Sequence, residues 1–166
     1  MAFFLGKQRD EDVVGSYKRY QQYLQEHQHV FPRSAYALAT AEWYYNPDDH
    51  RSPHDAWLES SIIFEIGQPD VKTRTLSMRT RLLGAYHDGH IEFTYSKVFA
   101  YSLGSESCNR GLGDWLYDEF RLSPEGRVIH EIEWSGFPHG KDAHWIIEAA
   151  DVEFRWIPQA DVSRHQ

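Results

Sequence analysis

The segment from Leu76 to Trp156 alternates short aromatic-rich stretches with turn-forming residues, and this pattern predicts a succession of short β-strands. The clearest turns lie at Asp88-Gly89 and at Ser123-Pro124-Glu125-Gly126. Tight turns reverse the chain, so the strands they join lie side by side and antiparallel. The pattern constrains the architecture but names no reaction, since the sequence contains no phosphate-binding loop, dinucleotide fingerprint, nucleophile elbow or paired-cysteine motif.

The Asp88-Gly89 pair predicts a two-residue hairpin turn of type I′, because both residues tolerate the positive φ that this turn requires. Such a turn pairs His87 with His90 and Leu82 with Tyr95. The apolar side chains of the two strands then share one face, and the polar side chains share the other. We expect the apolar face of this hairpin to be buried.

The second turn predicts a three-residue loop, with proline at the first central position and Gly126 in the left-handed region. It pairs Leu122 with Val128 and collects the apolar side chains on one face. A four-residue loop, which pairs Arg121 with Val128, is the less favoured register because it separates that apolar set. The favoured register continues through three pairs: Phe120 with His130, Asp118 with Ile132 and Leu116 with Trp134.

The first part of the chain differs in kind from the rest, because its apolar residues recur at helical spacing. Two helices are predicted, at 10–27 and 35–43. Helices followed by strands with short antiparallel connections are typical of an α+β domain. We expect one domain over 1–166, in which a helical part (10–45) packs on a curled antiparallel β part (55–157). A β-barrel and a sandwich of hairpins are alternative forms of this sheet.

The formal charge of −8, from 25 acidic and 17 basic residues, bears on the class of partner. It disfavours a nucleic-acid backbone or an anionic membrane and favours a basic or neutral protein partner. No apolar stretch approaches the length of a membrane span. The single cysteine, Cys108, cannot form an internal disulfide, so we expect a reducing compartment, the cytoplasm.

His50, His54 and Asp55 concentrate nitrogen and oxygen ligands in one polar loop. This composition suits zinc or iron and suggests a metal-dependent hydrolase to which His130 contributes. Pro53 excludes the helix that would align the two loop histidines, so the spacing alone does not make them converge. The competing interpretation is a hydrogen-bonded loop without a metal.

The favoured register of the second hairpin places His130 and Asp118 diagonally on its apolar face. A carboxylate within reach of an imidazole can orient it as a general base. The same geometry also satisfies the hydrogen bonds of a buried structural pair, which is the commoner arrangement. No serine, cysteine or lysine nucleophile is linked to this pair by sequence.

The opposite face of that hairpin is acidic, since Glu119 faces Glu131 and Glu133 lies nearby. Arg121 lies on the same side. Opposed carboxylates repel unless something compensates them. A neighbouring arginine such as Arg79 or Arg81, a bound cation or a basic partner surface would do so. Solvation of exposed carboxylates is the alternative.

Aromatic residues are abundant, with six Trp, ten Tyr and nine Phe in 166 residues. Two clusters stand out, Trp43-Tyr44-Tyr45 and Trp115-Leu116-Tyr117. A core position is the more frequent role for such residues, but surplus Tyr and Trp also anchor interfaces and ligand clefts. Tyr86, Phe93 and Trp134 would line the interior if the sheet closed into a barrel.

Residues 54–103 contain one further pattern: His54-Asp55-Ala56-Trp57-Leu58, Ile91-Glu92-Phe93, Val98, Tyr101 and Leu103. This pattern resembles small bacterial β-rich families of unassigned function, some of which are regarded as immunity proteins of toxin systems. These families share a His-Asp pair that opens the first strand and a later apolar strand that ends in valine. The resemblance covers residues 54–103 and supplies no catalytic residues.

Three functional hypotheses follow from these features. The first is a small non-catalytic interaction module that contacts a partner protein, or a second copy as a dimer, through the acidic face and spare aromatic residues. The second is a metal-dependent hydrolase that uses the His50, His54 and Asp55 cluster. The third is a small-ligand binder with an aromatic-lined cavity.

Overall fold

The computed structural model describes residues 4–6, 10–68, 73–105, 111–136 and 143–160, and it shows two helices followed by strands. The α+β class is confirmed. Cys108 lies outside the described residues. None of the helices in the described ranges is long and apolar enough to cross a membrane. The elements are α1 (Val13–His27), α2 (Arg33–Ala39), β1 (Trp57–Ile66), β2 (Thr75–Leu83), β3 (Gly89–Gly104), β4 (Trp115–Leu122), β5 (Val128–Trp134) and β6 (His144–Pro158).

The six strands form one antiparallel sheet in the order β1-β2-β3-β6-β5-β4. β3 and β6 pair along almost their whole length, whereas β2 pairs with the first part of β3 and β5 with the first part of β6. The two edge regions, β1 and the residue before β4, meet at one bridge between Trp57 and Asp114. The sheet must curl to bring them together, but over the described residues it is not closed into a barrel.

Helix α1 covers the outer edge of β4. The Tyr20 hydroxyl donates to the Phe120 carbonyl at 3.0 Å and accepts from the Phe120 N–H at 2.9 Å. The Tyr23 hydroxyl accepts from the Leu122 N–H at 2.8 Å. These are backbone groups that a further strand would otherwise bind, so the helix protects the edge from pairing with another chain.

Helix α2 ends at Ala39, earlier than the predicted Trp43. The Thr40 hydroxyl donates to the Tyr36 carbonyl at 2.7 Å, and this local bond takes an acceptor of the last turn. The chain then turns, which leaves the residues after α2 free to pack across α1 and the sheet. The helix begins at Arg33, after Pro32, and its N-terminal amides at Ser34 and Ala35 donate to Asp151 of β6.

The predicted register of the first hairpin is wrong. Tyr95 pairs with Met78, and Gly84 pairs with Gly89 across a four-residue loop in which His87 has the positive φ of 59°. Gly89 meets a different requirement, since a Cβ there would lie 2.3 Å from the Trp156 ring. The register moves by an even number of residues, so the predicted buried face is retained.

The favoured register of the second hairpin is confirmed near its turn. Leu122 pairs with Val128, and Gly126 has a φ of 75°. The pairing shifts at a bulge near the start of β4, so that Trp115, and not Leu116, lies opposite Trp134. The bulge turns the Trp115 indole into the core, where its side chain is 1% exposed.

Candidate functional site

A buried polar network surrounds the Asp118 carboxylate in the core. Tyr44 donates to Oδ2 at 2.7 Å, and the Trp115 indole N–H donates to Oδ1 at 3.0 Å. His130 Nε2 lies 2.9 Å from Oδ2, as the sequence predicts. Asp118 is only 5% exposed, so these bonds replace the water that a carboxylate loses on burial.

Both ring nitrogens of His130 are engaged within this network. Nε2 faces Asp118, and Nδ1 lies 2.8 Å from the Tyr95 hydroxyl. The ring is fully buried and stacks on Phe120 at a centroid distance of 4.2 Å. A general base must present a nitrogen to its substrate. This geometry instead gives His130 the role of a buried structural side chain with both nitrogens hydrogen-bonded.

The two aromatic clusters of the sequence meet at one cavity of about 290 Å³ between the helical part and β4. Asp118 and Trp115 of the buried network line it, and Asp10 and Val13 lie at the start of the helical part. Its walls combine aromatic rings with a few polar groups, as small-molecule sites do. The other lining residues are Tyr17, Tyr44, Tyr45, Pro47, Ser52, Pro53, His54, Leu116 and Tyr117.

A larger groove of about 720 Å³ adjoins this cavity. It runs between α1 and the residues that follow α2, and Tyr17 and Tyr45 line both spaces. Their rings meet edge to face at a centroid distance of 5.8 Å. This tyrosine pair therefore separates the outer groove from the inner cavity.

Burial sets the protonation of the hydroxyls around the cavity. It raises the pKa of Tyr44 well above its ordinary value, and the adjacent Asp118 charge raises this pKa further. Burial also raises the pKa of Tyr45, with Tyr20 as the next cause. These phenols remain protonated at neutral pH and are hydrogen-bond donors in the site.

The predicted metal ligands have separate surroundings. His50 Nδ1 lies 2.5 Å from Asp88 Oδ2, and its ring stacks on Tyr86 at 4.0 Å. His54 lines the inner cavity, and its buried Nδ1 approaches Asp55 Oδ1 at 3.2 Å without the alignment of a hydrogen bond. Within the described ranges, no three His, Cys, Asp or Glu side chains converge as a metal site does.

The acidic face of the β4–β5 hairpin is compensated within the chain. Glu119 and Glu131 face each other as predicted, and Arg121 binds both, with 2.5 Å between its Nη1 and Glu119 Oε1. His144 Nε2 lies 2.7 Å from the other oxygen of Glu131. Glu133 is half-buried and pairs across the ladder with Tyr117.

Glu119 is the most enclosed member of this face, with no exposed surface. The Leu5 N–H donates to its Oε2 at 2.7 Å. Burial raises the pKa of Glu119 to about 7, although Arg121 acts in the opposite direction. The Leu5 N–H and the Arg121 guanidinium occupy one oxygen of this carboxylate each. Contact with a partner through Glu119 stays a prediction.

The arginines named as possible compensators lie elsewhere. Arg81 pairs with Glu59 at 3.0 Å, and Arg79 approaches Glu92 at 3.8 Å. Sequence reasoning placed Arg121 on the acidic face but did not assign it this role. Its position on the same strand, two residues from Glu119, is the signal that identifies it, since side chains two apart on a strand share a face.

The remaining candidate aromatic residues pack in different places. Trp43 packs against Phe154 at 4.8 Å, with the Arg51 guanidinium over its ring. Phe93 and Trp134 are fully buried, whereas Tyr86 is 47% exposed at the hairpin loop. These last three residues therefore do not line a common interior.

Tyr95 is a network member that sequence reasoning missed, and Tyr44 was named only as part of an aromatic cluster. Tyr44 lies 74 positions from Asp118, and Tyr95 lies 35 from His130. No local pattern marks partners at such separations. Comparisons with known protein families, curated proteins and solved structures find no match for this chain.

Proposed function

We propose that this protein binds a small organic molecule in the inner cavity. The observation that carries the proposal is the placement of Asp118, an almost fully buried carboxylate that lines a cavity of about 290 Å³. A carboxylate in the core is costly unless it is bonded, and three donors here hold its orientation. A fixed polar group in an aromatic cavity is the usual arrangement of a ligand site.

The size of the cavity supports a compact ligand. Small-molecule pockets span roughly 300–1,000 Å³, so the inner cavity alone suits a molecule of about one ring. The adjoining groove of about 720 Å³ provides a route for a larger ligand if the Tyr17 and Tyr45 rings separate. The proposal corresponds to the third hypothesis, but the cavity lies between the helical part and β4.

The test uses benzyl alcohol as a neutral one-ring probe and NMR of the 15N-labelled protein as the readout. We expect the Trp115 indole N–H signal to shift on titration, because Trp115 lines the cavity and its N–H donates to Asp118. The signal should saturate with a single binding isotherm. Absence of any shift up to the solubility of the probe would contradict the proposal.

Two neighbouring valines provide a matched pair of variants. Val13 lines the cavity and is 47% exposed, whereas Val14 is 65% exposed and lines neither the cavity nor the groove. We expect Val13→Trp to weaken the binding of benzyl alcohol by filling the entrance. Val14→Trp should leave binding unchanged, and equal loss in both variants would argue against this cavity as the site.

A further inference from the structure

We infer that the ligand of the inner cavity carries a positive charge, as a compact organic ammonium does. The inference rests on the proposed function, because it assigns the chemical class of the molecule bound there. Two carboxylates line the cavity, Asp118 in the core and Asp10 at the exposed start of the helical part. No lysine or arginine is present among the described residues that line it.

The hydrogen bonds of Asp118 leave one of its oxygens underused. Oδ2 lies within bonding distance of both Tyr44 and His130, whereas Oδ1 accepts from Trp115. A carboxylate oxygen has two lone pairs and can accept two bonds. Oδ1 therefore has room for one more donor, and an ammonium N–H is a donor that also pairs with the charge.

Aromatic rings complete the conditions for a cation. Tyr44, Tyr45 and Trp115 line the same cavity as Asp118. The face of a Tyr or Trp ring attracts a cation, and the attraction grows when water is excluded. Carboxylates and aromatic rings together favour an organic ammonium over a strongly hydrated inorganic cation, because the rings also contact its hydrocarbon part.

The same groups disfavour an anionic ligand. A ligand carboxylate close to Asp118 would place two negative charges together in surroundings where they are poorly screened. Several donors of the lining already bind its carboxylates, since Tyr44 and Trp115 donate to Asp118 and the Tyr117 hydroxyl donates to Asp10. The imidazole of His54 also lines the cavity, but two carboxylates outnumber it. The cavity should therefore discriminate by charge among molecules of equal size.

The experiment compares three probes of similar shape: benzylamine, benzyl alcohol and benzoate. Dissociation constants are measured at neutral pH by NMR titration of the intact protein. We expect benzylamine to bind about tenfold or more tightly than benzyl alcohol, as a desolvated cation over aromatic rings does. Benzoate should not bind detectably.

Three variants test which carboxylate produces the preference for benzylamine over benzyl alcohol. Asp118→Asn should remove the preference for benzylamine, and Asp10→Asn should reduce it. Glu42→Gln changes the net charge equally but lies in the outer groove, so it should retain the preference. If Asp118→Asn does not fold, Asp10→Asn against Glu42→Gln still tests the inference, because Asp10 is exposed.

The outcomes separate the two claims. Equal binding of benzylamine and benzyl alcohol would overturn the charge inference and leave small-molecule binding in place. Equal loss of preference in Asp10→Asn and Glu42→Gln would show that net charge, and not the cavity, selects the cation. If none of the three probes binds, the proposed function itself fails.

Discussion

The two faces of the β4–β5 hairpin bury acidic residues in opposite ways. On one face Asp118 is held by hydroxyl, indole and imidazole groups, and it lines the inner cavity. On the other face Glu119 and Glu131 share the Arg121 guanidinium. One carboxylate accepts hydrogen bonds from three different side chains around a cavity, while the other two share one buried guanidinium.

This contrast indicates which of the two faces is suited to bind a ligand. Arg121 is 6% exposed and already holds two carboxylates, so that face has its counter-charge within the protein. Asp118 has its donors arranged to leave an oxygen with spare capacity. Neighbouring residues on one strand thus acquire a structural and a candidate functional role from what covers each face.

The largest effect is expected from the removal of Arg121. Arg121→Ala leaves Glu119 and Glu131 buried without the guanidinium that binds both, and should lower the free energy of unfolding by about 3–5 kcal/mol. Urea denaturation measures the loss. The control is Arg155→Ala, since Arg155 is 66% exposed and pairs with Glu92 at the surface, where an ion pair contributes about 1 kcal/mol or less. An equal loss of unfolding free energy in Arg121→Ala and Arg155→Ala would contradict the expected difference between the buried and the exposed ion pairs.

His130 should contribute less to stability than Arg121, because Tyr44 and Trp115 also donate to Asp118. His130→Ala should lower the free energy of unfolding by about 1–3 kcal/mol, as Asp118 loses one of three partners and Tyr95 loses its own. His130→Phe restores an aromatic ring without its nitrogens and isolates the hydrogen-bond contribution. Wild-type stability in His130→Phe would show that the ring acts through packing alone.

The raised pKa of Glu119, on the acidic face, predicts that the free energy of unfolding depends on pH. Its pKa rises from 4.5 to about 7 on folding, so the fold favours the protonated carboxyl. The resulting stability is present below pH 4.5 and is lost as pH rises through 7. Between about pH 5 and pH 7 the loss should be on the order of 2 kcal/mol.

Glu119→Gln separates this effect from the titration of the histidines. Urea denaturation of both proteins at the two pH values gives the change in unfolding free energy for each. The decline from the lower to the higher pH should be smaller in the variant. An identical decline in both proteins would mean that Glu119 titrates at the same pH in the folded and unfolded states.

The smallest effect is expected at Tyr44. Tyr44→Phe removes one donor from Asp118 and should destabilise the fold by about 1 kcal/mol. Differential scanning calorimetry measures the shift in melting temperature. The same variant frees acceptor capacity at Oδ2, so benzylamine binding should persist. Loss of binding together with unchanged stability would place Tyr44 in direct contact with the ligand.

Local patterns predicted the second hairpin but failed at the first. At Gly126 the turn chemistry and the apolar pattern predict the same register. That register brings the side chains of Asp118 and His130 within hydrogen-bond distance. At Gly89 the glycine is needed for the approach of Trp156, which lies 67 positions later in the sequence. A turn motif cannot distinguish a need for positive φ from a need for space.

The candidate site was only partly accessible to sequence reasoning. The clusters around Tyr44 and Trp115 are visible as aromatic runs, and Asp118 follows from the hairpin register. Their meeting at one cavity depends on how the helical part packs on β4, which involves partners far apart in the chain. The spacing of His50 and His54 in the loop does not predict their surroundings. His50 contacts Asp88, whereas His54 lines the inner cavity.

The tyrosines of α1 also bear on how the chain folds. Tyr20 binds the backbone of β4 across 100 positions of sequence, and Tyr23 does so across 99. Contacts of such long range slow folding, because a large loop must close before they form. During synthesis the helix emerges long before the strand it protects, and β4 has an open edge until the two meet. We therefore expect slow refolding, with aggregation competing most strongly before α1 docks.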